Sequence, residues 1–183
     1  MMLFKVSIPL ASVGFAAVLF FALFAFATAA RPATAAEPLF PPHFKTPWDD
    51  AFCCAPVVLK KVTQTARDHM TEMVGDDLKH FAPESADEKL KPLIDAAAER
   101  TMAAVGFASG AAKSCGLDPD KDTYRPIMAL LSKRDVHGKS RAYATAIHGI
   151  TLGLTMNQIT CTPKVRSRLL KEIQDFRQTL SGF

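Results

Sequence analysis

No Cys-x-x-Cys-His occurs in the chain, which excludes a covalently attached c-type haem. No basic stripe occurs either. Two of the 22 basic residues, Lys5 and Arg31, fall in the first 36 positions, where no acidic residue lies. The remainder therefore carries 20 basic against 18 acidic side chains. That near-neutral balance leaves no electrostatic footprint for nucleic acid. The densest basic group is Lys164, Arg166, Arg168 and Lys171. It falls on the outer side of the last predicted helix and reads as a solvated face. A calcium loop is also missing. Asp118-Pro119-Asp120-Lys121-Asp122 begins like one, but position six is Thr123 rather than Gly and position twelve is Ala129 rather than Glu. No catalytic motif is specific enough to assign a catalytic residue.

The N-terminus has a clear grammar. Lys5 supplies a minimal positive region, an apolar run follows from residue 10 to 27, and Ala-x-Ala sites stand at Ala27-Thr28-Ala29 and Ala33-Thr34-Ala35. Residues 1–36 are expected to be a signal peptide, so the protein is expected in the periplasm or outside the cell. No cysteine lies near these sites, which excludes a lipid-modified N-terminus. The apolar run is nearly as long as a membrane span. The alternative is thus an uncleaved inner-membrane anchor over residues 6–28, and membrane contact is expected only in that case.

Four cysteines follow the leader: Cys53, Cys54, Cys115 and Cys161. An even count in an exported chain points to two disulfides. A bond between the neighbours Cys53 and Cys54 is strained. The expected pattern therefore joins each of them to one of Cys115 and Cys161, in either order.

Periodicity predicts an all-α domain over residues 53–183, an up-and-down bundle of four long helices and one short helix. Residues 37–52 form an extended arm before it, with four prolines and the aromatics Phe40, Phe44 and Trp48. The arm is expected to lay its aromatics across the domain; a proline-rich ligand segment is the alternative. The first helix is predicted over residues 56–81. A capping box, Ser85 to Glu88, opens the second, which bends or restarts at Pro92 and runs through the alanine-rich stretch to Cys115, with Gly116 as its left-handed stop. A short helix covers residues 125–133. The fourth covers 140–159, with Tyr143, Ile147, Ile150, Leu154 and Ile159 as its apolar side. The fifth starts at Thr162-Pro163 and carries Val165, Leu169, Ile173, Phe176 and Leu180 at clean helical spacing.

Two helices have bare faces. Gly106 and Gly110 lie four apart on one, and Thr145, Gly149 and Gly153 on the other. These faces are expected to pack on each other. Long helices running up and down, as short links favour, would gather all four cysteines at one end of the bundle.

The same layout places His69, Met70, Met102 and His148 in one layer. Imidazole and thioether ligate haem iron or copper, so a haem- or copper-binding bundle using His69, Met102 and His148 is the alternative function. His80, Asp76, Asp77, Asp135 and His137 fall at the opposite end and read as a solvated rim. The leading expectation has no cofactor and no enzyme activity. It is an exported, disulfide-stabilised helical module that binds a protein partner in the bacterial envelope, in an inhibitor, immunity-like or structural role. Free thiols at Cys53 and Cys54 would point instead to redox chemistry.

Overall fold

Six α-helices occur among residues 38–40, 44–156 and 158–183, which the computed structural model describes. They are α1 (Pro56–Asp68), α2 (Ala86–Lys89), α3 (Ala96–Ser114), α4 (Arg125–Lys133), α5 (Gly138–Met156) and α6 (Pro163–Ser181). A 3₁₀ turn at Phe52–Cys54 precedes α1, another follows it at Met70–Glu72, and a π turn at Asp120–Tyr124 leads into α4. The leader residues expected to form a signal peptide lie outside the described residues. Among the described residues no helix is long and apolar enough to cross a membrane.

Helix α3 is set at both ends by local chemistry. Asp95 is its N-cap and accepts the Ala98 N–H at 2.8 Å, while its second oxygen accepts the Leu39 N–H at 2.8 Å. The far end is a Schellman stop. Gly116 sits at φ +67°, its N–H reaches the Lys113 carbonyl, and the Leu117 N–H reaches that of Ala112. Its alanines and glycines are nearly all buried, so α3 is the axis of the domain.

Helices α3 and α5 pack side by side and run parallel. Glu99 meets Tyr143, Gly106 meets His148, Gly110 meets Leu152, and Ser114 donates to the Met156 carbonyl. The short α4 carries the chain back between them. Both helices end beside the Cys115–Cys161 disulfide, from which α6 leaves. Leu169, Ile173, Phe176 and Leu180 of α6 are buried, as their spacing predicts. Phe40 and Trp48 of the N-terminal segment are buried too. Trp48 packs on Phe176 at 5.3 Å between ring centroids and donates its indole N–H to Glu172 at 2.8 Å.

Four expectations need correction. The first helix does not reach residue 81; it ends at Asp68. Gly75, Asp76 and Asp77 turn the chain back, with Leu78 at φ 62°, the Asp77 carboxylate accepting the Lys79 N–H, and a bridge between Val74 and His80. Asp side chains compete with helix bonds in this way, and a helical Gly adds to the cost. The bundle of four long helices is therefore not formed: three helices have 19 residues and α1 has 13.

The four cysteines do not gather at one end. Cys54 lies against the Arg100 carbonyl, about 22 Å along α3 from Cys115 at 1.5 Å per residue. Two disulfides do not form either. Cys115 pairs with Cys161, and Cys53 and Cys54 remain thiols.

Candidate functional site

The closest approach in the domain is the α3–α5 seam. A Cβ at Gly106 would strike the His148 carbonyl, and one at Gly110 would lie 2.7 Å from both the Leu152 carbonyl oxygen and Thr155 Cβ. Only glycine admits this contact. The opposing surface is not the predicted one, however. Gly149 and Gly153 are exposed, and a Cβ at either would meet no heavy atom within 4 Å. What faces α3 is Ala144, Ile147, His148, Thr151 and Thr155, all buried. Leu154, expected inside, is 43% exposed. The small-residue pattern identified both bare faces, but only one of them is filled.

A polar chain crosses the seam. Ser109 Oγ lies 2.8 Å from His148 Nε2 and 2.6 Å from Thr123 Oγ1, and Thr123 donates to the Pro119 carbonyl at 2.7 Å. The proton order follows. Thr123 spends its one hydrogen on Pro119, so Ser109 donates to Thr123 and the His148 Nε2–H donates to Ser109. An imidazole holding that proton is not a base for the serine. Ser109 is also wholly buried. The chain is therefore a structural relay that satisfies three buried polar groups, not a nucleophile–base pair. Burial pushes His148 down to about 4, so the ring is neutral at ordinary pH. Ser109 and Thr123 were not identified from sequence. The run Gly106-x-x-Ser109 marks a polar residue beside the glycine face, but the partner Thr123 comes from the π turn, which has no sequence signature here.

His148 does not form a ligand layer with His69. His69 is exposed, with Nδ1 against the Thr65 carbonyl of its own helix. Met102 is completely buried core, and Met70 is buried as well. His148 Nε2 is committed to Ser109, and its ring packs on Tyr124 at 4.9 Å. Among the described residues no three His, Cys, Asp or Glu side chains converge to hold a metal ion. His137 pairs with Asp135 at 3.0 Å on the surface.

The outward side of α5 has a different character. No Asp, Glu, Lys or Arg occurs from Ala142 to Pro163. At 100° per residue, Gly149 and Gly153 form a floor flanked by Leu152 on one side and by Ile150 and Leu154 on the other. Beside Leu152 is a cleft of about 250 Å³, lined by Pro119, Tyr124, Thr145, His148 and Gly149, with Asp120 at its edge in the π turn. Its volume suits one apolar side chain. No family model matches the chain, and no curated protein or solved structure matches it.

Proposed function

We propose that the protein is an exported, non-enzymatic helical module that binds a protein partner in the bacterial envelope through the outer face of α5. The role is that of an inhibitor, an immunity-like protein or a structural module. The observation that supports this reading is the uncharged, exposed surface of Gly149, Gly153 and Leu154, bordered by the half-buried Leu152, on a helix whose opposite face is already buried. An exposed helix face in water normally carries charge. A bare glycine floor lets another helix approach its backbone closely, and the adjoining cleft takes one side chain from it. The expected ligand is therefore an apolar helix of the partner. In this reading residues 1–36 are removed as a signal peptide, and the Cys115–Cys161 bond stabilises the exported domain.

Gly149→Glu and Gly153→Glu test the proposal. Both side chains point into open space, so each variant is expected to fold and to melt no lower than the wild type. A photo-crosslinker at Leu154 of the wild type, in intact cells, is expected to trap one discrete partner, and both glutamate variants are expected to lose it. Equal trapping by the variants would overturn the docking face. N-terminal sequencing of the exported chain checks the leader, with a start near residue 36 expected.

A further inference from the structure

Cys53 and Cys54 are the cysteines outside the Cys115–Cys161 bond, and they close the 3₁₀ turn Phe52–Cys54. Their sulfurs stand 3.3 Å apart, and both residues are buried. Their surroundings differ. Cys54 lines a cleft of about 210 Å³ together with Asp49, Asp50, Phe52, Pro56 and Arg100, whereas Cys53 is not part of its lining. Arg100 is held there by a bond from its guanidinium to the Asp49 carbonyl at 3.3 Å.

The hydrogen bond from Cys53 holds the Cys54 thiol below the usual range. Arg100 adds to this, while burial, Asp49 and Asp50 oppose it. The same bond, followed by burial, pushes Cys53 up. The Arg100 guanidinium beside the cleft favours the thiolate on Cys54, the sulfur that borders that cleft.

We propose that Cys54 and Cys53 form a dithiol–disulfide exchange pair whose substrate is an external disulfide. The Cys54 thiolate attacks one sulfur of the substrate. The substrate S–S bond breaks, its other sulfur leaves as a thiolate and takes up the proton lost by Cys54, and a mixed disulfide joins Cys54 to the substrate. Cys53 then loses its proton and attacks Cys54 Sγ. The mixed bond breaks, the second substrate sulfur leaves as a thiol, and a Cys53–Cys54 bond remains. Two protein thiols are oxidised and one substrate disulfide is reduced. A bond between neighbours is strained, so an external thiol reverses the reaction readily, as for labile rather than structural disulfides. The adjacent position that disfavours a permanent bond here favours a transient one.

The test exposes the purified exported chain to oxidised glutathione, or in a second arm to an oxidised thioredoxin-like protein, and then alkylates it under denaturing, non-reducing conditions for intact mass. In at least one arm the wild type is expected to become lighter by two hydrogens, to resist alkylation at both cysteines, and to retain no adduct. Reaction with glutathione alone identifies a small-molecule substrate, and reaction with the protein alone a protein disulfide. The Cys53→Ser variant is expected to stop at the mixed disulfide on Cys54. Cys54→Ser is expected to react at least about tenfold more slowly, because the sulfur that borders the cleft is gone. Persistence of both alkylatable thiols in the wild type in both arms would overturn the proposal. So would equal rates for the two variants. Native-state alkylation of the wild type provides a check that needs no variant: modification at Cys54 before Cys53 is expected, and the reverse order would sink the assignment.

Discussion

A Cβ at Gly110 would lie 2.7 Å from the Leu152 carbonyl oxygen, while one at Gly153, a residue further along that same helix, would touch nothing. The two glycines are therefore predicted to respond to alanine with opposite signs. Gly110→Ala and Gly106→Ala force α3 away from α5 and should destabilise by about 2–3 kcal/mol. Gly149→Ala and Gly153→Ala remove backbone freedom from the unfolded chain at a helical position. Each should stabilise by about 0.5–1 kcal/mol. Thermal melts of the four variants check this, and a stabilised Gly106→Ala would contradict the seam.

His148 makes stability depend on pH. Its ring is neutral and buried, and its folded value of about 4 lies below the ordinary 6.5. Below pH 6.5 the unfolded chain binds a proton that the folded chain refuses. The stabilisation is therefore complete above that pH and is lost as pH falls from 6.5 toward 4, by up to about 3 kcal/mol. Urea denaturation of the wild type and His148→Gln at pH 7.5 and pH 4.5 measures it. The variant should lack this part of the loss.

The Cys115–Cys161 bond closes a stretch with a sequence separation of 46. Loop-closure entropy gives about 4 kcal/mol for a loop of that length. The double variant Cys115→Ser/Cys161→Ser should lose stability of that order in chemical denaturation. Cys53→Ser alone should lose far less, since it breaks no covalent cross-link.

Arg67 fastens the second part of the chain to the first. Its guanidinium grips Glu84 at 2.8 and 3.3 Å and donates to the carbonyls of Glu88 and Lys91. The Glu84 side chain is only 6% exposed. Arg67→Met leaves that carboxylate buried without a partner and should cost about 2–4 kcal/mol. Hydrogen exchange should rise first over residues 84–91. The double variant Arg67→Met/Glu84→Met should recover part of the loss.

The readable parts of the fold were those set by local chemistry. The α6 face, the capping box at Ser85 and the glycine stop after α3 each depend on residues within one or two turns. What sequence did not resolve depends on neighbours distant in the chain. Gly106 and Gly149 occupy equally bare helical faces. Which face is filled is decided by the carbonyls of His148 and Leu152 meeting one and not the other. The placement of the four cysteines at one end fails for a related reason. The gathering of the cysteines rests on long helices running up and down, and the first helix ends at Asp68, half-way along the span its periodicity predicts. Ser109 lay in plain view within the alanine run, but its partners come from the π turn and from α5.

The disulfide also sets how the domain bears load. Cys115 and Cys161 are joined directly, so tension applied between the two ends of the chain passes through the sulfur bridge and bypasses α4 and α5. Roughly 150 Å of extensible contour is thereby held in reserve, since each extended residue spans about 3.3 Å. Only reduction of the bridge would release it. In a stretched chain, the segment that includes the outer face of α5 would be shielded from direct pulling.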